Sequence, residues 1–62
     1  MDGWIQGEPK DEGLYLVACN NGNVIEYGIG RSYKSGKIAS YNQNYIRGRI
    51  VAHMKIEPYT ER

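Results

Sequence analysis

The feature that most constrains this chain is the apolar run Leu14 to Cys19, stopped on one side by Gly13 and on the other by Asn20-Asn21-Gly22-Asn23. Six consecutive apolar residues between turn formers read as a strand, and Asn-Gly is a preferred pair for a two-residue hairpin turn. Setting Asn21-Gly22 at the turn pairs Ala18 with Ile25, Leu16 with Tyr27 and Leu14 with Ile29. All six then share one face, a stringent condition because a one-residue slip would scatter them to both. Tyr15, Val17 and Cys19 point the other way. A strand apolar on both sides belongs in the middle of a sheet.

The rest of the chain reads in the same terms. Ser35-Gly36 between Lys34 and Lys37 marks a second turn that would pair Tyr33 with Ile38 and lay Tyr41 over Gly30. Asn42-Gln43-Asn44 is a loop, and Gly48 between two arginines a bulge or turn. Ile50 to Ile56 alternates, with Ile50, Ala52, Met54 and Ile56 inward and Val51, His53 and Lys55 outward. Pro58 closes that ladder because it has no N–H to donate. Trp4-Ile5 is either a short edge strand or a cover for the first face. Eight glycines and the lack of sustained three-and-four spacing argue against helix. The expected fold is all-β, a single domain holding a four- to five-stranded twisted antiparallel sheet or small open barrel, with Trp4, Leu16, Ile25, Ile50, Met54 and Ile56 as its core.

Composition narrows the function classes. A domain of 62 residues without a single Phe has a small core and no room for a deep active site. Homo-oligomerisation is one expected remedy. Cys19 is alone, so it forms no internal disulfide, and no Cys/His cluster has metal-ligand spacing. Neither metal nor cofactor is expected. The sequence has no apolar run of the roughly 20 residues that span a bilayer and no signal-peptide pattern, so a soluble cytoplasmic protein, with no membrane partner, is the expectation. His53 is the sole histidine, with no nucleophile and orienting acid placed around it. Asp11-Glu12 are adjacent carboxylates that point apart. Gly28-Ile29-Gly30 lacks the strand-to-helix context of a phosphate loop. An enzyme is not expected.

Charge is segregated. Between Tyr27 and Ile56 there are six basic residues and no acid, while the acids lie toward the ends. Arg31, Lys34, Lys37, Arg47 and Arg49 alternate with Tyr33, Tyr41 and Tyr45, residue types that contact phosphates, stack bases or anchor protein interfaces. These eight are the candidate binding residues.

Trp4-Ile5, the Pro9 to Gly13 loop leading into Leu14-Tyr15-Leu16-Val17, and the closing Val51-Ala52-His53-Met54-Lys55-Ile56-Glu57-Pro58 resemble a small phage and prophage family of unknown function. That family opens on Trp-Ile and closes on a His-Trp-Met-Pro-Leu-Pro-like strand. The likeness covers the two ends, and no Trp follows His53 here. It implies a phage or prophage origin and brings no catalytic residues. The expected function is therefore a non-enzymatic, phage-encoded accessory protein in the host cytoplasm, binding a host macromolecule as an inhibitor of host defence or host nucleic-acid machinery. The alternative is direct nucleic-acid or nucleotide binding through the basic, Tyr-rich middle.

Overall fold

A computed structural model of the chain describes residues 3–42, 46–57 and 59–60. The fold is all-β, as the sequence predicts. Five antiparallel strands, β1 (Ile5–Gln6), β2 (Gly13–Asn21), β3 (Val24–Ser32), β4 (Ile38–Ser40) and β5 (Arg49–Lys55), form one open sheet in the order β1-β5-β2-β3-β4. The doubly apolar β2 is central. β1 and β4 do not meet, so the sheet is not closed into a barrel.

The first hairpin turns one residue later than expected. Asn21 pairs with Val24, and Gly22-Asn23 forms the two-residue loop with φ of 62° and 69° at its two positions. Both residue types tolerate positive φ, and the Asn23 N–H donates to Asn20 Oδ1 at 2.9 Å, which holds the loop in place. The resulting register differs by two residues from the expected one: Leu16 faces Ile29 and Ala18 faces Tyr27. A shift of two preserves side-chain direction. Leu14, Leu16, Ala18, Ile25, Tyr27 and Ile29 therefore still share a face.

That face is not the core. The buried cluster is Tyr15, Val17, Cys19 and Ile50, with Val17 fully enclosed and Ile38 and Ile46 packed against it. Ile25 is exposed, and Trp4, Leu16, Met54 and Ile56 are half-buried, which corrects the expected core. The physical reason is the segment after β4, which brings Ile46 across the side of the sheet that carries Tyr15 and Val17. A β-carbon on Gly30 would stand 2.7 Å from Ile46 Cδ1, so Ile46, and not Tyr41, covers that glycine. The second hairpin pairs Ser32 with Ile38 and Gly30 with Ser40, one residue from the expected register. Tyr33 N–H bonds to Lys37 O and Gly36 N–H to Tyr33 O, which tightens its loop.

β5 holds a second departure. Ala18 pairs with Ala52 and Cys19 with Ile50, so Val51 is the extra residue of a bulge. A bulge reverses side-chain parity across it. Ile50 consequently enters the core while Ala52 and Met54 turn to the other face. His53 joins Ile50's side and is buried, at 7% exposure, against the expectation of an outward residue. Its ring meets Tyr15 edge-on at 5.3 Å, and Nδ1 lies 2.7 Å from Gly7 O. A carbonyl can only accept, so Nδ1 carries the proton and donates. With Gly7 N–H bonded to Val51 O, this fastens the loop after β1 to β5. Tyr45 and Pro58, and the Gln43-Asn44 part of the predicted loop, lie outside the described residues.

Cys19 is enclosed beside Val17, and burial pushes its thiol pKa up; a backbone hydrogen bond from Arg47 works against this and Glu26 adds to it. A folded pKa above the unfolded one means that stability is intact below the ordinary thiol value of about 8.5 and falls as pH rises beyond it. The difference in urea midpoint between wild type and Cys19→Ala should therefore shrink from pH 7 to pH 10. The native thiol should also resist alkylation until the protein unfolds.

Candidate open-face interface

With one side of the sheet closed by Ile38 and Ile46, the other is left as a surface. Strand register assigns to it Leu14, Leu16, Ala18 and Asn20 of β2, Ile25, Tyr27, Ile29 and Arg31 of β3, Ala39 of β4, and Arg49, Ala52 and Met54 of β5. Trp4 lies against it, its ring 6.1 Å from that of Tyr27. Gly3 next to Met54 and Trp4 next to Tyr27 bracket the Ala18–Ala52 pair, which accounts for the burial of two small residues on an otherwise open side. Tyr27 is 65% exposed and Ile25 46%.

The paired strand registers place two charged residues on this face, Arg31 near its Gly13 end and Arg49 beside the first hairpin turn. The Arg31 guanidinium sits 5.4 Å from the centre of the Tyr41 ring, a cation–π contact that holds a long side chain in one place. Tyr41 is positioned by its own N–H, which donates to Ile29 O at 2.9 Å and carries the β3–β4 ladder one step past Ser40. The face thus combines two kinds of feature: aromatic and aliphatic area at low entropy cost, and one fixed cation able to take a carboxylate or phosphate.

The eight candidate residues from the sequence are not gathered at one place. Arg31 and Tyr41 come together on the open face. Tyr33, Lys34 and Lys37 are exposed around the β3–β4 turn, at the Gly13 end of the strands. Arg47 and Arg49 are exposed at the opposite end, where Arg49 pairs with Asn20 beside the first hairpin turn. At ~3.3 Å per strand residue the two groups are roughly 23 Å apart along β2. Tyr45 is not among the described residues. Trp4 and Leu16 are missing from the candidate residues because they are expected in the core, and Tyr27 and Ile29 because only their shared face with β2, and not its exposure, is legible. The signal that could have found them is β2 itself: with both of its faces apolar and a chain this short, there is too little sequence to cover both.

A shallow cleft of about 430 Å³ runs between β1, its following loop and β5, lined by residues that include Glu8, Asp11, Tyr15, His53 and Lys55. His53 is committed to Gly7 O there, and no serine, threonine or cysteine lines the cleft. Among the described residues no group of three His, Cys, Asp or Glu is placed to hold a metal ion, and no helix is long and apolar enough to cross a membrane.

Fold and surface together define a small all-β domain built as an open, one-side-covered antiparallel sheet. Comparison with protein-family models, with curated proteins and with solved structures finds no match.

Proposed function

We propose that this protein is a non-enzymatic, phage- or prophage-encoded accessory protein that binds a host protein through its open sheet face, acting in the host cytoplasm as an inhibitor of host defence or of host nucleic-acid machinery. The observation that carries the reading is the open-face grouping of exposed Tyr27 and Tyr41 with half-buried Trp4, Ile29 and Arg31. Protein interfaces concentrate their energy in Trp, Tyr and Arg near the centre of an apolar patch, with other charges at the rim. Here Lys34, Lys37, Arg47 and Arg49 occupy such rim positions. The alternative, a nucleic-acid binder, calls for cations along one groove, and these stand at two ends of the strands. The likeness of the chain ends to a phage family supports the origin.

The test compares two sets of surface variants in capture from host lysate, with nuclease present throughout. Tyr27→Ser and Arg31→Gln should each lower retention of a specific host protein by about 30-fold, the size of an interface hot spot. Arg47→Gln with Arg49→Gln should change retention little. Binding to RNA or single-stranded DNA that weakens with salt, and whose logarithmic slope drops by ~0.7 for each arginine removed, would replace this reading with the nucleic-acid one.

A further inference from the structure

Among the described residues, the half of β3 nearest the first turn has a side with no neighbouring strand. β4 pairs with Gly30, Arg31 and Ser32, and Tyr41 reaches Ile29. Among the described residues, no strand lies beyond Val24 to Gly28, and Val24, Ile25, Glu26 and Tyr27 are all exposed. In an antiparallel ladder alternate residues turn their N–H and C=O to the same neighbour. A two-residue turn closed by Asn21 and Val24 makes Val24, Glu26 and Gly28 the residues bonded to β2. Ile25 and Tyr27 therefore point their backbone groups away from it, on the side where Ile29 O takes the Tyr41 N–H. This edge is a template for one more strand.

A second copy of the chain fits it badly. Self-pairing that uses both residues must set Ile25 against Tyr27 of the partner copy and Tyr27 against Ile25. That register places Glu26 directly opposite Glu26, in the non-hydrogen-bonded pair where Cα atoms come within ~4.5 Å. Like charges so placed are destabilising. Moving the register by two in either direction sends Tyr27 to Asn23, which is in the turn, or Ile25 to Ile29, which is already bonded. Glu26 thus guards the edge against its own kind, and the same carboxylate selects a cation.

We infer that the free half of β3 accepts an extended segment of a partner protein as a sixth, antiparallel strand in line with β4, with the side-chain pattern apolar–basic–apolar. The outer residues of the triplet pair with Ile25 and Tyr27 and extend the open face. The central Lys or Arg meets Glu26 on the opposite side. Backbone hydrogen bonding supplies affinity, and the two faces of the added strand supply selectivity. The proposed function bears on this only in naming a protein as the source of the strand.

The probe is the peptide acetyl-Thr-Val-Lys-Val-Thr-amide at millimolar concentrations, with amide hydrogen exchange read by NMR on the intact protein. Exchange at the Ile25 and Tyr27 amides should slow by about tenfold or more near saturation. Glu26 and Gly28, already bonded to β2, should change little. Replacing the peptide's Lys with Glu should weaken binding by about fivefold, the upper range for a cross-strand pair. Glu26→Lys, a change at an exposed position, should reverse the preference between the two peptides. Unchanged exchange at Ile25 and Tyr27, equal binding of the two peptides, or protection of both amides in a peptide-free dimer would each overturn the inference. Loss of host-protein capture in Tyr27→Ser and Arg31→Gln with no peptide effect would sink the added strand alone; the converse would sink the open-face reading alone.

Discussion

Gly48→Ala should unfold the protein or leave it with a barely measurable transition. Gly48 has φ of 79°, which side-chain-bearing residues adopt at a cost of about 1–3 kcal/mol. Space is the larger obstacle. A β-carbon there would land on the carbonyl oxygen of Asn20, with Asn20 C at 2.8 Å and Asn21 Cα at 2.9 Å. All three are backbone atoms of the central strand, so no rotamer change relieves the clash. Either β5 moves off β2 at the Asn20–Arg49 pair or the hairpin turn distorts. Overpacking of ~1–3 kcal/mol on top of the backbone strain gives a loss of about 2–6 kcal/mol, a large share of the stability of a domain this small. Urea denaturation followed by circular dichroism measures it, and a midpoint within about 0.3 M of wild type would show that the approach is not enforced. Gly36→Ala is the fitting control: its φ of 95° carries the same backbone penalty, but nothing lies within 4 Å of its β-carbon. It should cost only the strain.

Tyr15→Ala should be nearly as damaging. The ring is 4% exposed, belongs to the core cluster and meets the His53 ring edge-on. Truncating a buried aromatic typically costs ~3–5 kcal/mol. Two losses add here, because the same ring packs against the imidazole that fastens Gly7. The amide of Gly7, bonded to Val51 O, should therefore exchange faster in Tyr15→Ala by a larger factor than the global loss of stability explains. Leu16→Ala, one residue along on the half-buried face, should cost less than Tyr15→Ala. The reverse order would mean that the open face is the true core.

These expectations separate what was legible in the residues from what was not. Strand identity and the central position of β2 followed from one doubly apolar run, a local signal. Side-chain direction in the first hairpin survived an error in the turn because Asn21-Gly22 and Gly22-Asn23 differ by a register of two. The choice between the faces was not legible. It depends on where the chain after Tyr41 crosses, and Ile46 reaching Gly30 is a contact that no alternation reports. His53 was misplaced for a related reason: a bulge at Val51 reverses parity, and a β-branched valine between Ile and Ala carries no bulge signature. Of the candidate site, Arg31 and Tyr41 were found through their residue types. Trp4 and Leu16 were hidden by the assumption that large apolar residues go inside, and Tyr27 and Ile29 because a shared face does not say which side of the sheet is open.

The strand order also bears on how the chain reaches its native state. β2 meets β3 across a two-residue loop, but it meets β5 only after the intervening chain has been closed, from Asn20 to Arg49 and from Tyr15 to Lys55. Loop-closure entropy favours the nearer pairing, so the β2–β3 hairpin is the expected first element and β5 the slow one. Until β5 arrives, Leu14 to Cys19 is an apolar run along an open strand side, a form of exposure that promotes intermolecular pairing. β1 cannot shorten that interval, since its sheet partner is β5 and its loop is fastened by His53 of the same strand. The residues that limit aggregation during synthesis are therefore those that speed the docking of the last long strand, and they lie about thirty to forty positions from the surface they protect.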